Sequence, residues 1–308
     1  MRNFLNISDL TSKDLRFIID EAKSRKMNRK NFNKSASDND KPFEGKSMVM
    51  IFEKPSTRTR ISFDIATKQL GGSSIILNPD GIHYGKGDES IKDTSKALSE
   101  YSDIIMIRTS NHKNLEEFAK YSNVPIINGL SEQSHPCQVM SDILTFEELK
   151  GNIKNKTVAW LGDGNNNMSN SLIEAAVKFN FRLSIGCPTK YSPNKKIIKW
   201  ASKNKANIFI TKDPKKAVKN ADCVMTDKWV SMNDKVNKIQ KKKILKKYQV
   251  NKNLMSLAKN DAIFMHCLPV GRGEEVTDDI IDGAKSVVWK QALNRVHAQK
   301  SIIIWCLN

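Results

Sequence analysis

The chain has few cysteines and no long apolar run, and both features restrict its class. The five cysteines are scattered over 308 residues without a CxxC pair, so we expect neither a disulfide framework nor a cysteine-rich zinc site. The longest apolar stretches, such as 47–52 and 302–305, are far too short to span a bilayer. The first residues lack the apolar core of a secretion signal. The sequence therefore predicts a cytoplasmic globular protein.

Acidic residues are scarce relative to basic ones, which gives a net charge of +18. Such a charge raises the hypothesis of nucleic-acid binding. The excess is mostly lysine, however, and its densest run, at 235–247, contains no interleaved aromatic residue for base stacking. A solvated helix or loop surface is the preferred interpretation of that run. We expect small anionic substrates rather than nucleic acid or a membrane as partners, with a basic nucleic-acid-binding protein as the non-enzyme alternative.

Short apolar runs alternate with helical patterns along the chain. The predicted strands are 47–52, 74–77, 103–108, 125–127, 157–161, 183–186, 207–210, 223–226 and 262–266. The predicted helices include 59–70, 91–101, 138–149, 171–179, 194–203, 215–220 and 294–307. This alternation predicts an α/β fold with mostly parallel sheets flanked by helices. Because nine strands are more than one sheet of this chain is expected to hold, we expect two domains, 1–150 and 151–289. We expect the C-terminal helix in 290–308 to pack on the first domain.

The segment after the first strand has the composition of an anion site. Ser56 stands at an N-cap position, and three hydroxyls and two guanidinium groups fall within residues 56–60 (STRTR). The free N–H groups of a helix start bind anions, and arginines add charge-assisted hydrogen bonds. The glycine-rich spacing of a Walker loop is absent from the sequence. We therefore predict a phosphate site here, with a well-capped surface helix as the plainer alternative.

Two more polar positions follow strand ends in the first half. Arg108 ends a very apolar strand and is a second candidate anchor for a phosphate or carbonyl oxygen. His135 and Gln138 stand three residues apart at a helix start, so both can face one point. A neutral histidine can donate to a carbonyl oxygen, and a glutamine can accept from an amide NH2. The alternative for this pair is a structural role, in which the two side chains cap the helix and form hydrogen bonds with the loop backbone.

The second half carries three polar positions of the same kind. Gly162 and Gly164 give a weak dinucleotide-binding signal, and because the third glycine is missing a nicotinamide dehydrogenase is disfavoured. Asp227 follows a strand and could hold an ammonium group. Cys267 follows His266, but adjacent strand residues point to opposite faces, so a covalent Cys–His pair is disfavoured. A thiol that contacts the substrate is the preferred interpretation.

Six motifs, taken in order, resemble those of the carbamoyltransferase family, and in particular its ornithine branch. They lie at 56–60 (STRTR), 135–138 (HPCQ), 162–166 (GDGNN), 227–232 (DKWVSM), 266–269 (HCLP) and 294–295 (NR). The resemblance implies transfer of the carbamoyl group of carbamoyl phosphate to the side-chain amine of L-ornithine. The implied products are L-citrulline and phosphate, in arginine biosynthesis. It implies no metal or organic cofactor, because carbamoyl phosphate already carries an activated leaving group.

The resemblance also assigns the residues of the site. The implied carbamoyl-phosphate contacts are Ser56, Thr57, Arg58, Thr59, Arg108, His135, Gln138, His83 and Arg295. The implied ornithine contacts are Asn166, Asp227, Ser231, Met232, Cys267 and Leu268. The expected catalytic residues are Arg108, His135, Asp227 and Cys267. Because family members are trimers, a homotrimer is expected, in which His83 reaches the site of a neighbouring subunit.

The sequence departs from the family pattern at three positions. The segment 85–89 and the asparagine run 165–167 each look one residue longer than usual, and Asn233 stands where glycine is common. Asparagine tolerates a positive φ better than most residues, so Asn233 is compatible with a similar loop. Because a few side chains set the choice of amine, sister carbamoyltransferases that use putrescine, N-acetylornithine or aspartate are the alternative enzymes.

Overall fold

The computed structural model describes residues 1–78, 84, 89–230 and 237–308. They form two compact units, one of Met1–Leu144 with Leu293–Asn308 and the other of Thr145–Ala292. Each unit contains a parallel sheet whose strands alternate with helices along the chain, which confirms the predicted fold class. Among these described residues, no helix is both long enough and apolar enough to cross a membrane.

The first unit is built on a parallel sheet. Its strands are β1 (Ser47–Phe52), β2 (Ser73–Leu77), β3 (Ile104–Arg108) and β4 (Ile126–Leu130). In the described ranges the strand order is β2-β1-β3-β4, and Met50 of β1 pairs with Ile76 on one side and Met106 on the other. The central strands β1 and β3 are buried almost throughout, because their apolar runs are covered on both faces.

The helices of the first unit include two that the sequence did not predict. They are α1 (Ser12–Asn28), α2 (Thr57–Gln69), α3 (Ile91–Tyr101), α4 (His112–Tyr121) and α5 (Pro136–Lys150), the last of which continues into the second unit. The two unpredicted helices are α1 and α4. In α1, Leu15, Ile18 and Ile19 are buried, but charged residues outnumber them and obscure the helical period.

The second unit also has a parallel sheet. Its strands are β5 (Thr157–Leu161), β6 (Arg182–Gly186), β7 (Ile208–Thr211), β8 (Cys223–Thr226) and β9 (Ile263–His266). Its helices are α6 (Asn167–Phe179), α7 (Lys195–Lys203), α8 (Pro214–Val218), α9 (Lys238–Leu245), α10 (Lys252–Met255) and α11 (Asp278–Ile281). The strand order in the described part is β7-β6-β5-β8-β9, and Thr226 pairs with both Leu161 and His266. Residues just after β5, β8 and β9 therefore emerge at one edge of this sheet.

The C-terminal helix, α12 (Val288–Leu307), ends within the first unit, as the sequence predicted. It begins before the predicted start at 294. The buried Lys300 Nζ donates to Asp38 Oδ1 at 2.7 Å and to Gln69 Oε1 at 3.1 Å. Near the end of the helix, Trp305 Nε1 donates to Asp14 Oδ1 of α1 at 3.1 Å. These contacts attach α12 to both α1 and the end of α2.

Candidate active site

Thr59 is the point at which two arginine side chains meet. It lies in the first turn of α2, just beyond the carboxyl end of β1. Its buried hydroxyl accepts hydrogen bonds from Arg108 Nη1 at 2.9 Å and from Arg295 Nη2 at 2.8 Å. Arg108 ends β3, the neighbour of β1 in the sheet, and Arg295 comes from α12. Two guanidinium groups are thus fixed beside the positive end of a helix, an arrangement that suits an anion.

The remaining side chains of this helix start are accessible. Ser56 occupies the N-cap position and its hydroxyl makes no capping hydrogen bond. Ser56 is half-buried, whereas Thr57 and Arg58 are exposed. Arg60, by contrast, donates from its guanidinium to Asn78 Oδ1. The hydroxyls and Arg58 are therefore placed to meet a ligand that arrives from solvent, which is the arrangement a phosphate site needs.

His135 is held in its neutral form. It lies immediately before α5 and is 5% exposed. Burial lowers the pKa of His135 well below its usual range, and the nearby guanidinium groups of Arg295 and Arg108 lower it further. A neutral imidazole next to two cations can donate a hydrogen bond to a carbonyl oxygen without carrying a charge itself.

Gln138 is oriented by Asp142, one turn later in α5. Its Nε2 donates to Asp142 Oδ1 at 2.8 Å, and both side chains are buried. Within the described part of the chain, Gln138 Oε1 has no hydrogen-bond partner, so it remains a buried acceptor for an amide N–H of a ligand. Asp142 was not among the predicted site residues. The signal that could have found it is its spacing of four residues from Gln138 on one helix.

In the second unit, Asp227 and Cys267 come together at the ends of neighbouring strands. Asp227 follows β8 and Cys267 follows β9. Cys267 Sγ donates to Asp227 Oδ1 at 3.0 Å, and the backbone N–H of Lys228 donates to the same oxygen at 2.7 Å. Both side chains are only partly buried. A carboxylate with a thiol beside it, at the open edge of a sheet, can hold an ammonium group of a ligand.

His266 is buried and does not form a catalytic pair with Cys267. Its Nδ1 accepts from the backbone N–H of Leu268 at 2.9 Å, and its Nε2 lies 3.2 Å from Glu275 Oε1. Leu268 itself has a φ of 58°, which is uncommon for a residue other than glycine. The thiol of Cys267 instead donates to Asp227. This geometry agrees with the sequence analysis, which disfavoured a covalent Cys–His pair.

The same three side chains are also a candidate metal-binding group. The ligand atoms of Asp227, His266 and Cys267 lie within 4.8 Å of one another. Both ring nitrogens of His266 already contact Leu268 or Glu275. A metal ion would have to displace one of these contacts, so the geometry favours an organic ammonium at Asp227 over a metal ion.

Asn166 caps α6 after the glycine-containing loop 162–165. Its Oδ1 accepts from the backbone N–H of Ser169 at 2.8 Å, and Ser169 Oγ accepts from the backbone N–H of Asn166 at 3.1 Å. This reciprocal pair fixes the side chain of Asn166, which is half-buried. The predicted site residues His83, Ser231 and Met232 lie outside the described residues, as does Asn233.

Cationic groups and a neutral histidine held side by side can stabilise negative charge that develops on a bound substrate. Two domain models of one family match nearly the whole chain. The aspartate/ornithine carbamoyltransferase carbamoyl-P binding domain matches residues 2–148, and the Asp/Orn binding domain of the same family matches residues 154–306. The chain belongs to the aspartate/ornithine carbamoyltransferase family.

Individual relatives agree with this assignment. The chain is 51% identical to an ornithine carbamoyltransferase of Rhodopseudomonas palustris, over 99% of this chain and 96% of the relative. It is 49% identical to one of Rhizobium meliloti, over 99% and 98%. Among solved structures, it is similar to the ornithine carbamoyltransferase of Pyrococcus furiosus, with a TM-score of 0.92, 44% identity and coverage of 98% and 96%. It is also similar to an anabolic ornithine carbamoyltransferase of Campylobacter jejuni, with a TM-score of 0.91, 34% identity and 99% coverage of both chains.

Proposed function

We propose that the protein is an ornithine carbamoyltransferase, which transfers the carbamoyl group of carbamoyl phosphate to the side-chain amine of L-ornithine. The products are L-citrulline and phosphate, and arginine biosynthesis is the usual role of such enzymes. The observation that carries the proposal is the convergence of Arg108 and Arg295 on Thr59 at the start of α2. Two relatives that are 51% and 49% identical to this chain over 99% of its length are named ornithine carbamoyltransferases, which supports ornithine as the acceptor.

Carbamoyl phosphate binds with its phosphate group at the start of α2. Ser56, Thr57 and Arg58 supply hydroxyl and guanidinium donors there. Because Thr59 Oγ1 already accepts from two arginines, its own hydrogen is directed toward a third group, the carbonyl oxygen of the substrate. His135 donates to the same oxygen. These donors stabilise the negative charge that develops on that oxygen in the transition state.

The carbamoyl NH2 group and the acceptor amine complete the reaction. Gln138 Oε1 accepts from the carbamoyl NH2, and Asp227 and Cys267 contact the amines of ornithine. The neutral side-chain nitrogen forms a bond to the carbonyl carbon, and the C–O bond to phosphate then breaks with its electron pair going to phosphate. The attacking nitrogen loses one proton, which the departing phosphate accepts. Orientation and charge stabilisation provide the catalysis, because phosphate is already an adequate leaving group.

Several finer features of the proposal stay predictions. They include a carbamoyl-phosphate domain of 1–150 joined by the C-terminal helix, and an ornithine domain of 151–289. They also include a homotrimer in which His83 of one subunit serves its neighbour, contacts of Ser231, Met232, Asn166 and Leu268 with ornithine, and a cytoplasmic location. Similarity to the relatives along nearly the full chain supports the family membership from which the contacts and the homotrimer are inferred.

The phosphate site is tested by the substitution Arg58→Ala. The side chain is exposed, so we expect the variant to fold normally while losing nearly all citrulline formation, about 100-fold or more, because a transition-state donor is removed. Steady-state assays with carbamoyl phosphate and L-ornithine measure the loss, and Lys68→Ala at the other end of α2 is the control. Near-normal turnover by a folded Arg58→Ala variant would reject this site.

A further inference from the structure

Lys241 is a buried lysine in a helix whose neighbouring lysines face solvent. Lys238 and Lys243 of α9 are exposed, whereas the side chain of Lys241 is 6% exposed. Its Nζ forms an ion pair with Asp163 Oδ2 at 2.7 Å, and the side chain of Asp163 is 8% exposed. The interpretation of the whole run 235–247 as a solvated surface was therefore wrong at Lys241. Charges are buried in this way when a specific partner compensates them.

Asp163 in turn holds the loop that follows β5. Its Oδ1 accepts from the backbone N–H of Asn165 at 2.8 Å, and its carbonyl oxygen accepts from Trp160 Nε1 at 2.9 Å. The carboxylate therefore bonds to the loop with one oxygen and to Lys241 with the other. Without the lysine, the loop would retain a buried carboxylate whose charge has lost its compensating cation.

A second connection joins Lys241 to the same loop through Tyr191. The Nζ of Lys241 lies 5.3 Å from the centroid of the Tyr191 ring, a cation–π distance. The carbonyl oxygen of Tyr191 accepts from the backbone N–H of Gly164 at 2.9 Å. A Cβ atom on Gly164 would lie 2.9 Å from that oxygen, so only glycine fits this approach. Asp163, Lys241, Tyr191 and Gly164 thus form a closed ring of contacts.

The loop held by this ring leads directly into Asn166. Ser169 Oγ donates to the carbonyl oxygen of Gly164 at 2.8 Å, while the backbone N–H of Ser169 donates to Asn166 Oδ1. Ser169 therefore links Gly164 to the side chain of Asn166. The proposed contacts with carbamoyl phosphate come from His83, from the starts of α2 and α5, from the end of β3 and from α12, and residues 162–166 carry none of those side chains.

We propose that Lys241 is a positioning residue of the acceptor site, which acts through Asp163 to hold residues 162–166 so that Asn166 meets ornithine. The inference rests on the proposed function, in which Asn166 contacts ornithine. Lys241 itself touches neither substrate in this account. Its loss should therefore weaken the use of ornithine much more than the binding of carbamoyl phosphate.

The test compares three substitutions with the wild-type protein. Lys241→Met keeps the length of the side chain and removes its charge, Lys241→Arg keeps the charge, and Lys243→Met is the matched control on the exposed face of α9. For Lys241→Met we expect the KM for ornithine to rise about tenfold or more, because small displacements of a positioning group cost that much. The KM for carbamoyl phosphate should change less than about twofold. Lys241→Arg should keep the KM for ornithine close to the wild-type value, because its charge is retained. Lys243→Met should have the same KM values as the wild-type protein.

Two controls keep the outcome unambiguous. The thermal unfolding midpoint shows whether Lys241→Met folds. If it does not, the two KM values are measured on the double variant Lys241→Met with Asp163→Asn, because that variant leaves no buried charge uncompensated. An unchanged KM for ornithine in a folded variant, or equal changes for both substrates, would overturn the role of Lys241 alone. Absence of citrulline from the wild-type protein would instead overturn the proposed function and this role together.

Discussion

Thr59 holds two arginine side chains together at the proposed carbamoyl-phosphate site. A hydroxyl group can accept two hydrogen bonds and donate one, and two guanidinium groups already occupy its acceptor positions. The direction of its hydrogen is thereby fixed before a substrate arrives. Such preorganised donors contribute more to catalysis than flexible ones, because they need not reorient during the reaction.

We therefore expect Thr59→Val to lower kcat by about 100-fold, which corresponds to the loss of one oxyanion donor. Valine has a similar shape, so the core around this fully buried position should remain packed. Thr67→Val is the matched control, because Thr67 is equally buried on α2 and its hydroxyl contacts only the sulfur of Met48, at 3.6 Å, in the described structure. Equal kcat values for the two variants would contradict the role of Thr59.

Sequence patterns located part of this site and missed its connections. Three hydroxyls and two arginines at a strand-to-helix turn pointed to an anion site without any knowledge of the fold. The contact of Arg295 with Thr59 joins positions 236 residues apart in the chain, and no local pattern contains such information. Arg295 was assigned only through family resemblance. The sequence did not distinguish Lys241 from the neighbouring lysines, because the burial of one side chain in a charged run depends on tertiary packing.

At the scale of elements, the strands were easier to predict than the helices. β1, β5 and β8 have the predicted bounds, because their apolar runs are unbroken and end at polar or glycine residues. β4 extends beyond the predicted end at 127 to Leu130, since Asn128 is buried in the strand. The Nδ2 of Asn128 donates to Leu5 O at 2.9 Å and to Ser134 Oγ at 2.8 Å, which pairs the donor group of this buried amide.

Helix α1, which the sequence did not predict, begins with a reciprocal N-terminal cap. Thr11 Oγ1 accepts from the backbone N–H of Asp14 at 3.1 Å, and the Asp14 carboxylate accepts from the backbone N–H of Thr11 at 3.3 Å. We expect Thr11→Ala to lower the free energy of unfolding by about 1 kcal/mol, the usual value of such a cap. Urea denaturation measures the change, with exposed Lys13→Ala as the control. No difference between the two variants would mean that the cap contributes nothing.

Helix α12 carries a buried histidine that makes stability depend on pH. Burial lowers the pKa of His297 to about 3, and the positive charges of Lys300, Lys26 and Arg29 act in the same direction. In the unfolded chain the pKa returns to 6.5, so between pH 6.5 and about 3 the unfolded state binds the extra proton. Stability therefore falls as the pH decreases through this range, by up to about 1.4 kcal/mol per pH unit.

We expect His297→Gln to reduce this loss, because glutamine is polar but does not titrate. Between pH 7 and pH 5 the free energy of unfolding of the variant should fall by about 2 kcal/mol less than that of the wild-type protein. The buried His135 contributes a loss in the same direction, and it is present in both proteins. Denaturation curves at the two pH values provide the comparison. Parallel losses in the two proteins would show that His297 does not titrate as described.

At the scale of the whole molecule, each unit supplies one kind of chemistry. The first unit, with Leu293–Asn308 of α12, holds the cationic groups around Thr59 and a neutral histidine. The second unit holds a carboxylate and a thiol at the edge of its sheet. In the proposed reaction, anionic carbamoyl phosphate thus meets the cationic groups of the first unit, and the ammonium group of ornithine meets the carboxylate of the second. The net charge of +18 also favours the approach of anionic carbamoyl phosphate over long distances at low ionic strength.

The central claim, transfer of a carbamoyl group to ornithine, is tested most directly by the choice of acceptor. The purified protein is incubated with carbamoyl phosphate and, separately, with L-ornithine, putrescine, N-acetylornithine or L-aspartate. Ureido product and released phosphate are both measured. We predict citrulline and phosphate in equal amounts from ornithine and no ureido product from the other three amines. Product from another amine in place of ornithine, or no product from any amine with a folded protein, would contradict the account.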